Sequence, residues 1–72
     1  MSEFLRIARC TLRLSDFCSR AASLFRRMKN QGADALAIKR QLEKGIARHP
    51  NVFTKYRKTA AEIYECITTK LK

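Results

Sequence analysis

The apolar residues of this chain recur with the 3.6-residue period of an α-helix over three segments. Short connections between the segments force reversals of direction, so neighbouring helices are expected to run antiparallel. The pattern predicts a single small helical domain over residues 1–72, all-α, with the architecture of a three-helix antiparallel bundle. Its helices are expected at roughly 3–29, 34–48 and 52–71.

Two short breaks separate these segments. Gly32 in the first break suits the left-handed position that follows many helices, and Asp34 can cap the next helix. Pro50 in the second break ends the helix before it, and Asn51 can cap the helix after it. His49, the single histidine, lies at this break and fits helix termination better than catalysis.

The first segment is apolar on two sides. Leu5 and Leu12, seven residues apart, form a second apolar face that a monomer of this size cannot easily cover, so they are expected to contact a partner. A cap at Ser15 and Asp16 would split the segment into two helices near Ser15. Its continuous phase favours one helix. The main apolar side contains Ile7, Leu14, Cys18, Ala21, Phe25 and Met28.

The other two segments each carry one apolar stripe. Gly45, at the edge of the middle stripe, would let another helix approach closely. The middle stripe contains Ala35, Ile38, Leu42 and Ile46. The last stripe contains Val52, Phe53, Tyr56, Ala60, Ile63, Tyr64, Ile67 and Leu71.

The composition and size of the chain also indicate that it has a binding partner. The chain has 72 residues, 16 of them Lys or Arg against 6 Asp or Glu, for a net charge of +10. Its apolar share of 46% is too high for a disordered basic tail, and no apolar run is long enough to span a membrane. A core of this size contributes only a few kcal/mol, so an additional source of stability is expected.

The residues that carry chemistry are few. Cys10, Cys18 and Cys66 lack the paired spacing of a zinc site, and reduced thiols in the core are favoured over one disulfide. Lys58 precedes Glu62 by four residues, which predicts a solvated ion pair rather than acid–base chemistry. With no catalytic set and no phosphate-binding glycine loop, we expect no enzyme activity, no metal and no directly bound cofactor.

Charge concentrates in the middle third, where residues 25–48 hold seven basic and two acidic side chains. Such an excess predicts an anionic partner, which can be nucleic acid, anionic lipid or an acidic protein. For DNA, Arg40 and Gln41 would be the readers of a helix-turn-helix motif, but the helix expected before them is too long for that motif. No aromatic residue lies within the basic run to stack on single strands. The N-terminal segment is also amphipathic, Arg-rich and poor in acid, which is typical of mitochondrial targeting segments, and because the sequence starts at Met1 a retained signal is expected.

One run of residues resembles a known family. The run begins with Phe25-Arg26 and continues with Lys29-Asn30 and Asp34, and Ile38 lies seven residues before Gly45. It is similar to the second half of the LYR-motif proteins, which are small basic mitochondrial proteins of three helices. Upstream, Ile7-Ala8-Arg9 and Leu12-Arg13 match the name-giving motif in kind, with Ala8 in place of its tyrosine. The likeness covers roughly residues 4–46, and the interval from Arg9 to Phe25 is about ten residues shorter than is usual in that family.

The resemblance implies a mechanism. Such proteins dock acyl carrier protein, whose acyl-phosphopantetheine arm enters the core between the helices, and they serve as accessory or assembly subunits of mitochondrial complexes of the respiratory-chain type, complex I included. It places the chain in the mitochondrion, in the matrix or at the matrix face of the inner membrane. The acidic carrier surface would meet Arg9, Arg13, Arg26, Arg27 and Lys29. The acyl chain or core would be lined by Ile7, Phe25, Ile38 and Leu42.

Two alternatives remain open from the residues themselves. The same charge would serve a small RNA- or DNA-binding or ribosomal protein, whose binding would weaken steeply with salt. Leu5 and Leu12 beside a stripe of arginines would also allow peripheral contact of an amphipathic helix with anionic lipid.

Overall fold

The computed structural model describes residues 3–72, and within that range it is all-α, as the periodicity predicts. The three expected helices are not the helices of the structure, because the first and the last are each divided. The elements are α1 (Glu3–Cys10), α2 (Leu14–Asn30), α3 (Ala35–Arg48), α4 (Pro50–Phe53), a 3-10 turn (Thr54–Tyr56) and α5 (Ala60–Leu71).

The expectation of one helix over 3–29 is wrong, and the alternative of a split is confirmed. The chain leaves the helix after Cys10, where the Thr11 hydroxyl turns back to donate to the Ile7 carbonyl at 2.9 Å. The cap that the alternative assigned to Ser15 lies elsewhere, because Arg13 is the N-cap residue of α2. No side chain supplies a capping hydrogen bond there.

The break also corrects the expected second apolar face. Leu5 is buried at 2% exposure in the core, whereas Leu12 lies in the connection between α1 and α2 and is 85% exposed. The two leucines therefore do not share a surface. A two-sided apolar pattern here reflects two short helices that pack in different directions, so that the face carrying Leu5 and Ala8 turns inward.

The expectation of one helix over 52–71 is also wrong. After α4 and the 3-10 turn, Arg57 adopts a left-handed backbone conformation with φ 55°. Thr59 then begins α5 with a capping box, in which its hydroxyl accepts from the Glu62 N–H at 3.2 Å and the Glu62 carboxylate accepts from the Thr59 N–H at 3.0 Å. Asn51, expected as the cap, lies inside α4.

The middle helix follows the sequence closely. Gly32 is left-handed with φ 95°, as predicted, and α3 ends at Arg48 with His49 as its C-cap residue. Asp34 occupies the N-cap position of α3, although its side chain makes no capping hydrogen bond. Gly45 is buried within the helix. Turn residues and proline give local signals that hold whatever the rest of the chain does.

The core lies between α2 and α5, with α1, α3 and α4 closing its sides. Phe17 is fully buried, and its ring centroid lies 5.7 Å from that of Phe53 and 5.4 Å from that of Tyr56. These distances suit tilted and edge-on aromatic packing. The cluster joins α2 to the segment that follows α3, and so fixes α4 and the 3-10 turn against the bundle.

The Tyr56 hydroxyl completes the end of α1. It lies 2.8 Å from the Thr11 hydroxyl and donates toward the carbonyl oxygens of Thr11 at 3.1 Å and Ala8 at 3.3 Å. The Lys55 ammonium also donates to the Ala8 carbonyl. Carbonyls at a helix end need partners from outside the helix. The end of α1 therefore depends on residues 45 to 48 positions away along the chain.

We expect Tyr56→Phe to lower the free energy of unfolding by about 1–2 kcal/mol, because it removes the donor to the Thr11 carbonyl and the hydrogen bond between the two buried hydroxyls. The matched control is Tyr64→Phe, since the Tyr64 ring packs at 6.3 Å from Phe25 and its hydroxyl makes no hydrogen bond within residues 3–72. The control should change stability by less than about 0.5 kcal/mol. Urea denaturation of both variants measures the difference, and equal losses would contradict the role assigned to Tyr56.

Thr59→Ala should destabilise the chain by about 1 kcal/mol, because it removes the N-cap of α5. The pKa of Glu62 is lowered, first by the hydrogen bond from the Thr59 backbone. A lowered carboxyl pKa adds stability above the ordinary value of 4.5 that is lost as the pH falls through the folded-state value. Thr59→Ala keeps the backbone hydrogen bond to the Glu62 carboxylate and removes the hydroxyl, which is the second cause of the lowered pKa. The part of the stability loss that comes from the hydroxyl's effect on this pKa should therefore shrink on acidification in thermal melts. Thr69→Ala, at an exposed site inside α5, is the control and should show no such pH dependence.

Candidate partner-binding surface

Most cations of this protein form no ion pair with another residue of the described range, 3–72. Within residues 3–72 the ion pairs are Arg27 with Glu3 at 3.3 Å and Lys58 with Glu62 at 3.9 Å. The second confirms the ion pair expected from the spacing, and both pairs are well exposed, which makes each worth little. Fourteen of the sixteen Lys and Arg side chains are thus left without an ion-pair partner.

The cations expected to dock an acidic carrier fall into two groups. Arg9 lies in the last turn of α1 and Arg13 caps the start of α2. Arg26, Arg27 and Lys29 lie in the last turns of α2. The α-helical rise places Arg13 and Arg27 about 20 Å apart along the axis of α2. The structure does not bring the predicted set together into one patch.

Two of these arginines already have partners within the chain. The Arg26 guanidinium donates to the carbonyl oxygens of Lys70 at 3.3 Å and Leu71 at 3.5 Å, at the C-terminal end of α5. Cations are favoured at that end of a helix by its dipole. Arg27 holds Glu3 in the first turn of α1. Both side chains therefore join helices to one another, a role that their position in the sequence did not indicate.

The residues expected to line an acyl chain are core residues. Ile38 and Leu42 are each 1% exposed and Phe25 is 5% exposed, while Ile7 is half-buried against the same core. The Phe25 ring packs 6.3 Å from that of Tyr64. These contacts are ordinary helix packing, so an acyl chain would enter only after the helices separate.

A different set of cations lies together on α3. Arg40, Lys44 and Arg48 are exposed and recur every four residues, which places them within about 80° of one another around the helix. None of the three makes a hydrogen bond, ion pair or ring contact within residues 3–72. We call these three residues the α3 basic stripe.

The surroundings of the α3 basic stripe are small or uncharged. Ala37 and Ala47 are exposed beside it, Gln41 is exposed on one flank, and Leu36 is 52% exposed near the start of the helix. Glu43 is the one acidic residue of α3. Arg40 and Gln41 are the predicted DNA readers, whereas Lys44 and Arg48 lie outside the predicted partner-binding set. Their four-residue spacing was the available signal.

The three cysteines are free thiols in three environments. Cys18 is buried, Cys66 is half-buried and Cys10 is exposed, so the expectation of core thiols is confirmed for Cys18 and wrong for Cys10. Burial raises the pKa of Cys18 to about 12, and the neighbouring Cys66 thiol adds to the increase. A thiol with such a pKa is almost entirely protonated at neutral pH and is a poor nucleophile.

We expect a maleimide reagent to modify Cys10 first and Cys18 only after denaturation. Intact mass spectrometry over a time course distinguishes the sites, with Cys10→Ser as the control that removes the fast step. Because the folded-state pKa of Cys18 is raised, its contribution to stability is present below the ordinary value of 9.0 and is lost as the pH rises through about 12. Fast labelling of folded Cys10→Ser at Cys18 would contradict this assignment.

One open groove, of about 350 Å³, lies between the start of α2 and the outer side of α5. Glu62, Glu65 and Lys58 share it with Leu14, Cys66 and Thr69. Within residues 3–72, no three His, Cys, Asp or Glu side chains lie close enough to hold a metal ion together. No helix in this range is sufficiently long and apolar to cross a membrane.

Comparison with known proteins adds no family to these observations. The likeness to the LYR-motif proteins stays a prediction from Phe25-Arg26 and the residues that follow. The placement of those residues is compatible with packing alone, since Phe25 lies in the core and Arg26 binds the end of α5. No family model, no curated protein and no solved structure matches this chain.

Proposed function

We propose that this protein is a non-enzymatic binding subunit that docks an acidic macromolecule through its unpaired cations. The observation that carries the proposal is the charge balance of the fold, in which fourteen of sixteen cations have no ion-pair partner among residues 3–72. A net charge of +10 on 72 residues repels itself in the compact state. An anionic partner relieves that repulsion and draws the protein to itself from a distance.

One version of the proposal has acyl carrier protein as the partner. The protein would then be an accessory or assembly subunit of a mitochondrial complex, folded as the family's antiparallel bundle and located at or in the matrix. Exposed Arg9 and Arg13 support it as contacts for an acidic carrier helix. Two observations weigh against it: the predicted cations lie in two groups, and Phe25, Ile38 and Leu42 are packed in a closed core.

The second candidate has nucleic acid as the partner, and the α3 basic stripe favours it. Three regularly spaced cations on one helix face match a regular array of phosphates better than they match the scattered carboxylates of a protein surface. Peripheral lipid binding loses its supporting feature, because Leu5 is buried in the core and Leu12 lies alone in a connection. We therefore rank nucleic acid first and acyl carrier protein second.

The test measures binding of the full chain to two acidic probes, an acylated carrier protein and a labelled DNA duplex. We expect binding to at least one probe, with an affinity that falls at least about tenfold as salt rises from about 50 to 200 mM, because cations release counterions from the partner. Fluorescence anisotropy measures binding to the duplex, and native mass spectrometry measures binding to the carrier protein. An uncharged polymer of similar size is the control. If the chain binds neither acidic probe at low salt, the proposal is contradicted.

A further inference from the structure

We infer that α3 is the element that enters the major groove of duplex DNA, with the α3 basic stripe on the phosphates. This inference rests on the proposed function and names both its partner and its surface. α3 is 14 residues long, and its buried side carries Ile38, Leu42 and Gly45 toward the core. Because that side packs in the core, the opposite side of α3, with Arg40, Lys44 and Arg48, faces solvent.

The α3 basic stripe runs along the axis of a helix, the element that a DNA groove can admit. Arg40 and Arg48 are about 12 Å apart along the helix axis, with Lys44 midway between them. The major groove of B-form DNA is about 12 Å wide and admits one α-helix. Cations at regular steps on one face of that helix can reach phosphates along the groove edge while the helix backbone stays close to the bases.

The uncharged neighbours of the stripe add the second part of the argument. Ala37 and Ala47 present only methyl groups, so they let the helix backbone approach a surface closely. The Gln41 amide carries both donors and an acceptor, which is the chemistry that pairs with the edge of adenine. An acidic protein would need neither the small residues nor the amide. Glu43 is the single acidic side chain of the helix and lies away from the centre of the stripe.

The geometry favours DNA over duplex RNA. The major groove of A-form RNA is deep and narrow, and side chains on a helix do not read it well. A surface that used charge alone would bind both duplexes alike. If α3 enters a groove, the protein should bind a DNA duplex more tightly than an RNA duplex, and this difference can be measured.

The first experiment removes charge. Anisotropy titrations of a labelled DNA duplex compare the full chain with Arg40→Gln/Lys44→Gln/Arg48→Gln. The matched control is Arg6→Gln/Arg20→Gln/Lys70→Gln, which removes the same charge from exposed sites on α1, α2 and α5. We expect the α3 variant to lose at least about tenfold in affinity and its salt slope to fall by about 2.7, which is about 0.9 for each phosphate contact. The control should lose less than about threefold. Circular dichroism verifies that both variants fold.

The second experiment adds bulk without changing charge. Ala37→Phe should weaken DNA binding at least about fivefold and leave the salt slope unchanged, because it keeps the helix backbone away from the groove. Ala61→Phe, at an exposed site of α5, is the control and should bind as the unmodified chain does. A duplex RNA of the same length should bind at least about tenfold more weakly than the DNA.

The outcomes separate this inference from the proposed function. Equal losses in the two charge variants, or equal binding of RNA and DNA, overturn the assignment of α3 to a DNA groove while the docking of an acidic partner stands. A chain that binds acyl carrier protein and no duplex does the same. Loss of binding to every acidic probe overturns both.

Discussion

The hydroxyl of Tyr56 at the end of α1 is the contact on which the rest of the fold depends. A helix of eight residues is too short to be stable on its own in water. What holds α1 is the burial of Phe4, Leu5 and Ala8, together with donors that reach its last carbonyls from Lys55 and Tyr56. The same tyrosine ring packs edge-on against Phe17 of α2. One side chain thus joins the end of the first helix, the core of the second and the turn before the last.

Local signals in the sequence were sufficient for the helical class and for α3. Gly32 and Pro50 act on the backbone beside them, so the helix between them was predicted almost to the residue. The start of α5 also has a local signal, because Thr59 and Glu62 have the spacing of a capping box, although the apolar period predicts a helix that continues through this point. The break at Thr11 was harder, because it contains neither glycine nor proline.

The break at Thr11 needs contacts that no local pattern contains. Its hydroxyl and carbonyl meet Tyr56, which lies 45 residues later in the chain. The helical period of the apolar residues continues through the break, because Ile7 and Leu14 would lie on the same side of an ideal helix. Periodicity alone therefore does not reveal the break. The candidate surface was likewise predictable only in part from the sequence. Net charge predicted an acidic partner, but only the fold shows that Arg26 serves the end of α5 while Arg40, Lys44 and Arg48 are left exposed.

The distance in sequence between Tyr56 and α1 also governs the order in which the molecule can be built. Contacts separated by more than 40 residues form only after a long loop has closed, and the entropy of that closure comes before any gain from burial. On the ribosome, α1 and α2 are made before α3, α4 and the 3-10 turn, so Phe4, Leu5 and Phe17 first have only each other's helices to pack against. The aromatic partners of Phe17 and the donors for the end of α1 come later, with residues 53–56. The site in which α1 docks is therefore complete only after Tyr56 has been made.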